Sequence, residues 1–558
     1  MICTHLSYAL LALANFALGR HVQARQQNTS AEDLETIISQ GIDALGGLDS
    51  ISAINSVTYV GNTILRAKTL MLAISMDGLD QAAVTAGRQN VTFSFDRPHV
   101  KQRIDKLAQL GATWTFGRAS LEPMDFSLLI EGGDEGFAAV VEGSYNLYNP
   151  GGEPAGYVDG LLASYLITEA YKWDPLLLQK ILTNNKATYR MKKTNAGIEV
   201  PTVHDETTGL AILFDPDTHL PHIIRSYEDH PFFGASTHDL LVYNYTEVEG
   251  VQFPQRFKTI YNSKHVIGDY AADQVLTNVY QTEQFFARPG NGTVPEGSAP
   301  TRDPEYSFAE IGETSANFLW PGAYTGTLEA LEAAITQPYQ DIPGLWILSM
   351  EMRQAVIELE DGSVIVLDAP PHQSKLVIEW VQQRLGKNVT HVWPTHHHHD
   401  HAFGVVDYVE SGAKVIAPEH AAHYYARMNL TKGQIVTYKR GDSITFKDSQ
   451  TQLVLIDMQA TLHAEDHGYA FILPTCPKFN SSTAIFEADH ANLAWIDTAD
   501  QGLIQELADA LIRDRVTLNT HVFHSNGQDG DLAVFINPTG MKYPNYSPLD
   551  FIYNQPSC

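Results

Sequence analysis

The sequence predicts a mixed α/β protein in two parts: a β-rich N-terminal domain, then a C-terminal α/β sandwich built around a metal site. Three observations predict this. From about Ser56 to Phe286 the apolar pattern is that of strands and turns. Beyond a stretch rich in proline and glycine, short apolar runs mix with helical periodicity in two similar halves, which fits two packed sheets with helices on both outer faces. Within this region lies the loop Thr395-His396-His397-His398-His399-Asp400-His401. It follows the buried run Val389 to Trp393 and precedes a helical start at Ala402, so imidazoles and a carboxylate crowd one strand-to-helix loop.

At 558 residues the chain suits two or three domains. Its formal charge of -29 argues against nucleic acid or anionic lipid as a partner. Leu6 to Leu18 is apolar, too short to span a bilayer, and followed by small-residue cleavage sites after Gly19 or near Ala24, which reads as a secretory signal over residues 1–24. No other segment is long and apolar enough to cross a membrane. Eight glycosylation sequons agree with secretion, at Asn28, Asn90, Asn244, Asn291, Asn388, Asn429, Asn480 and Asn545. Of three cysteines, Cys3 leaves with the signal, so Cys476 and Cys558 remain for one disulfide.

The first domain is expected over residues 25–287. Ser30 caps a helix with an apolar stripe at Leu34, Ile37, Ile38, Ile42 and Leu45, stopped by Gly46-Gly47. Strand runs follow at Val57 to Val60, Val91 to Phe95, Gly209 to Phe214, His222 to Ile224 and Tyr243 to Phe253, with a helical stretch at Leu161 to Leu182. Helix, double glycine, long strands and an Asp215-Pro216-Asp217 turn weakly resemble half-barrel domains of lipoprotein-carrier type, which implies an apolar ligand. A structural domain that covers the catalytic one is the preferred reading. Residues 288–306 hold Pro289, Gly290, Gly292, Pro295, Gly297, Pro300 and Pro304, and read as a linker.

The second domain, 307–558, shows strands near Trp346 to Met350, Ala355 to Leu359 and Ser363 to Leu367, then a helix near Leu376 to Leu385. After the histidine loop come strands near Lys414, Ile435, Leu453, Ala470, Thr483 and Leu493, a helix at Leu503 to Ile512, and the run Val522-Phe523.

Histidine and aspartate at this spacing can surround zinc or iron. Thr395, His396, His398, Asp400 and His401 match the T-H-x-H-x-D-H signature of the metallo-β-lactamase superfamily, which the sequence resembles over roughly Glu313 to Tyr546. The resemblance implies an αββα fold with the site at one edge of the sheets. It implies three further ligands, with a candidate for each: His463 in preference to His467, Asp489 in preference to Asp497, and His524 in preference to His521. On this reading His396, His398 and His463 hold one zinc. Asp400, His401 and His524 hold a second, and Asp489 bridges them. Two such ions lower the pKa of a shared water from 15.7 towards roughly 7. Asp400 would also orient that nucleophile.

Thr395 supports the loop, and Asp368 is a structural carboxylate near the site. His420, His423, Tyr424 and Tyr425 read as surface or rim residues. The function expected is a secreted, N-glycosylated, metal-dependent hydrolase acting on an ester, thioester, lactone or amide of a small molecule, an apolar one if the first domain takes part. Two alternatives stay open. His396, His463 and Asp489 alone would form an iron oxygenase centre, and a carrier-like binding protein would hold a structural metal.

Overall fold

The computed structural model describes residues 31–67, 85–110, 124–143, 155–158, 160–182, 186–230, 233–263, 265–300, 326–426, 428, 430–431, 433–459, 461, 463–491 and 501–554. The signal segment, Asn28, Asn429, Asp497 and the run expected as a strand near Leu493 lie outside these residues.

The N-terminal part is β-rich, as its alternating pattern requires. One sheet of seven strands runs from Gln274–Thr277 at one edge, through Ser56–Gly61, to Gly156–Tyr157 at the other. A second sheet of eight strands runs from Leu65–Ala67 to Ala187–Lys193. Side chains alternate across a strand, so each sheet offers one apolar face. Tyr59 and Phe93 of the first sheet and Phe214 and Phe257 of the second share one core with the helices Ala31–Ala44 and Gly160–Trp173. Trp173 closes it by stacking on Phe257, with ring centroids 4.4 Å apart.

The stretch expected as a bare linker packs against this part through residues 286–300. The Arg288 guanidinium sits over the Phe137 ring at 4.8 Å and pairs with Glu131 at 3.1 Å. Val294 and Phe286 pack against the small cluster of Leu129, Phe137 and Ala139. One arginine thus ties down a segment whose proline and glycine content suggested little packing.

The C-terminal part has four layers. A seven-stranded sheet runs from Ile335–Thr336 to Ile435–Tyr438, and a six-stranded sheet runs from Ser443–Lys447 to Gly530–Asp531. Alternation decides which side chains meet. In Val364–Leu367, Ile365 and Leu367 face the second sheet together with Trp393, Leu453, Ile472 and Phe486. Val364 and Val366 face outward, under Val377, Trp380 and Tyr408 of the covering helices. On the far side, the helix Gln501–Arg513 lays Ile504, Leu507 and Leu511 on Val454, Phe471 and Ile485.

The strand Val364–Leu367 pairs parallel with His391–Trp393, and Ala484–Glu487 pairs parallel with His521–His524. Ligands in α/β sheets gather beyond the carboxyl ends of such strands, and here the histidine loop leaves one of them. Among the described residues no helix is long and apolar enough to cross a membrane.

Candidate metal centre

Two strand ends position the loop. The chain leaves His391–Trp393 at Pro394, and the Thr395 amide donates to Asp368 Oδ1 at 2.7 Å. The Ala369 amide donates to the His401 carbonyl at 2.8 Å, and the Gly404 amide to the Ala369 carbonyl at 2.8 Å. Position 404 must be glycine, because a Cβ there would lie 1.9 Å from Ser374 Oγ. The loop is pinned from its other side as well, since the Gly468 amide donates to the Thr395 carbonyl at 2.9 Å. This brings the His463 segment alongside.

The resulting geometry is dense. His396 Nε2 lies 2.8 Å from His398 Nδ1 and 3.2 Å from His463 Nε2. Asp489 Oδ2 lies 3.4 Å from His396 Nε2, 3.0 Å from His463 Nε2 and 3.1 Å from His401 Nε2. Two donor sets form, each with ligand atoms within 4.8 Å of one another: His396, His398, His463 and Asp489, and Asp400, His401 and Asp489. Asp489 belongs to both. It sits just past the strand Ala484–Glu487 with φ 65°, a left-handed conformation uncommon outside glycine. Its other oxygen, Oδ1, accepts from Asn526 Nδ2 at 2.6 Å.

His524 is buried at the end of its strand, as expected, but it does not join Asp400 and His401. Its Nε2 faces Glu487 Oε1 at 3.2 Å instead, out of hydrogen-bond alignment. His467 stacks on His396 at 4.5 Å and stays outside both sets. His397 Nδ1 donates to Asp466 Oδ1 at 2.7 Å, which anchors the loop. His399 faces Phe403 and the first part of the chain. The His521 ring pairs with Asp531 at 3.1 Å, away from the cluster.

Tyr424 and Tyr425 are a correction: both are buried, not at a rim. Tyr424 is roofed by His397 at 5.1 Å and by Phe233 of the N-terminal part at 5.8 Å. His420 is half-buried and contacts the Glu465 carbonyl, and His423 is exposed.

The charges are set by burial and by one another. Burial drives His396 well below the ordinary imidazole value, and His398, His467 and His401 push the same way. Burial also opposes charge on His401, but Asp400, Asp368 and Asp489 outweigh it and hold that imidazole well above its usual value. Asp489 is held well below the carboxylate range, where His401 and His463 outweigh burial. Burial raises Glu487 to about 7 and lowers His524 to about 3.

The donor set fits a divalent ion. Both Asp400 oxygens, His401 Nε2, Asp489 Oδ2 and both His524 ring nitrogens are buried without a hydrogen bond among the described residues. Imidazole and carboxylate are the donors zinc takes. Asp368 Oδ2 lies 2.7 Å from His401 Nδ1, the second hydrogen bond a ligating imidazole commonly has. Asp368→Asn keeps the shape and tolerates the φ of 65° found there, but one of its two acceptors becomes a donor. Zinc affinity should fall by roughly 10–100-fold, read by competition with a chromogenic chelator.

The N-terminal part reaches this loop through His230 and Phe233. The His230 ring lies 6.0 Å from His399 and 5.9 Å from Phe403. Burial lowers its pKa to about 3. An unfolded histidine titrates near 6.5, so between about 3 and 6.5 the unfolded state binds more protons and stability falls as pH falls. At pH 5 this costs about 2 kcal/mol. His230→Phe should therefore flatten the fall in Tm between pH 7 and pH 5, and an equal fall in both proteins would contradict it.

A pocket of about 320 Å³ opens beside Asn526, lined by Met350, Glu351, Arg353, Ser525, Gly527 and Gln528. Glu487, His490, Arg353 and Asn526 were not foreseen. Glu487 and His490 could have been, because they flank Asp489 in one run.

Residues 354–471 match the family model of the metallo-beta-lactamase superfamily. Similar solved structures include a metallo-beta-lactamase from Pontibacter korlensis, at 16% identity over 37% of this chain and 99% of that one, with a TM-score of 0.26. Another from Hirschia baltica shows 16% identity over 38% and 98%, with a TM-score of 0.26. A flavo di-iron protein from Thermotoga maritima shows 13% identity over 36% and 52%, with a TM-score of 0.27. No curated protein matches the sequence.

Proposed function

We propose, from the match of residues 354–471 to the metallo-beta-lactamase superfamily model, that this chain is a secreted hydrolase using two zinc ions on an ester, thioester, lactone or amide. The observation that carries the proposal is Asp489, whose Oδ2 stands between two donor sets. His396, His398 and His463 would hold one ion, Asp400 and His401 the other, with Asp489 shared. His524 is the candidate to complete the second set, since neither ring nitrogen is hydrogen-bonded among the described residues. Two such ions supply Lewis-acid polarisation of a substrate oxygen and a nucleophilic water at neutral pH.

The chain's own groups do the rest. Asp400, whose oxygens carry no hydrogen bond among the described residues, orients the attacking water and accepts its proton. Asp368 fixes the His401 tautomer, and Asn526 holds Asp489 against rotation. Residues 25–287 form the covering domain and 307–558 the catalytic one. The pocket beside Asn526 suits a small substrate that carries polar groups.

Secretion is supported by Cys476, which is disulfide-bonded, while Cys3 and Cys558 lie outside the described residues. It is supported too by exposed sequons at Asn244, Asn291, Asn388, Asn480 and Asn545. Elemental analysis of the secreted full chain tests the reading. Two or more zincs per chain are expected. One iron with little zinc, together with oxygen uptake, would replace the hydrolase by an oxygenase.

A further inference from the structure

Beside the cluster centred on Asp489 lies a second group of ligand atoms. His467, Glu487 and His490 each place one ligand atom within 4.8 Å of the others, and all three side chains are buried. None belongs to the sets proposed above. His467 is 1% exposed, and neither of its ring nitrogens has a hydrogen-bond partner among the described residues. Buried polar groups are nearly always bonded, and one left unbonded calls for a ligand from outside the chain. The ring cannot swing away to find one, since it stacks on His396 at 4.5 Å and 16° and meets the His490 edge at 4.2 Å.

The other two side chains are held in place. Glu487 Oε1 accepts from the Ala491 amide at 2.9 Å, and Oε2 from the His490 amide at 3.3 Å. These bonds leave lone pairs on both oxygens. Glu487 Oε1 also lies 3.2 Å from His524 Nε2. His490 Nδ1 lies 3.3 Å from the Ala488 carbonyl, and Nε2 3.4 Å from Glu506 Oε2. Either contact can serve as the second hydrogen bond that orients a ligating imidazole.

We infer that His467, Glu487 and His490 form a separate site for one divalent transition-metal ion, additional to the pair around Asp489. Two imidazoles and a carboxylate are a set that takes zinc, iron(II) or manganese(II). An ion there would brace the turn that presents Asp489, because Glu487 and His490 flank that residue on both sides. The site needs neither the hydrolytic reaction nor the other two ions.

The test is diffraction from crystals of the zinc-loaded full chain at the zinc absorption edge. An anomalous peak about 2.0–2.2 Å from nitrogens of His467 and His490 and an oxygen of Glu487 is expected. Peaks around Asp489 with none among these three residues would overturn the inference and leave the proposed function standing. A peak among these three alone would uphold the inference and remove the zinc pair. Glu487→Gln gives a second readout, since it keeps the shape of the side chain but not its charge. Folded, dialysed variant should carry one zinc fewer per chain than wild type by mass spectrometry, and equal zinc in the two proteins would overturn the site.

Discussion

Asp489→Asn should lower kcat/KM by on the order of 10³-fold or more, about 4 kcal/mol of lost transition-state stabilisation. The reason is geometric. Oδ2 lies within 3.4 Å of three imidazole nitrogens from two donor sets. An amide in its place removes the negative charge on which two cations would depend and leaves His401 with Asp368 and Asp400 as its remaining carboxylate neighbours. Asparagine also tolerates the left-handed backbone at this position, so the fold should persist. Steady-state kinetics on any ester or lactone the wild type turns over, with a melting curve as control, give the answer. A loss of tenfold or less in a folded variant would contradict the role given to Asp489.

Trp393→Ala should destabilise the protein by about 3–5 kcal/mol. The indole is fully buried between the two C-terminal sheets. Its Nε1 donates to the Tyr438 hydroxyl at 3.3 Å, and its ring lies against the close approach of Gly468. Truncation leaves a cavity and strips a buried hydroxyl of its partner. Trp393 is also two residues before Thr395, so the cavity opens at the root of the histidine loop. Urea unfolding of both proteins measures the effect, and a change below about 1 kcal/mol would mean that the inter-sheet core does not depend on this residue.

The part of the site most legible in the sequence is the part encoded locally. His396, His398, Asp400 and His401 sit within six residues, so their spacing alone brings them together. His463 and Asp489 were legible one step less directly, as what the family resemblance implies, with His467 and Asp497 as the alternatives. What could not be read depends on contacts between distant segments. His467 meets Glu487 and His490 because the strands Gly468–Pro474 and Ala484–Glu487 are paired. The family resemblance implied His524 as a partner of Asp400, and the place of its Nε2 opposite Glu487 Oε1 at 3.2 Å depends on packing between strands. Tyr424 and Tyr425 lie on a helix too short to declare a face, and Phe233, which helps bury Tyr424, lies far upstream. Residues 288–306 read as linker by composition, yet Arg288 finds Glu131 and Phe137.

The most direct test follows turnover on an ester and lactone panel through three states of the full chain: as purified, stripped by a chelator, and reloaded with zinc. Hydrolysis that disappears on stripping and returns with zinc, in the wild type but not in His398→Ala, is the expected result. Hydrolysis that persists after complete metal removal, or reloading that restores oxygen consumption with iron and no hydrolysis with zinc, would contradict a hydrolase centred on Asp489.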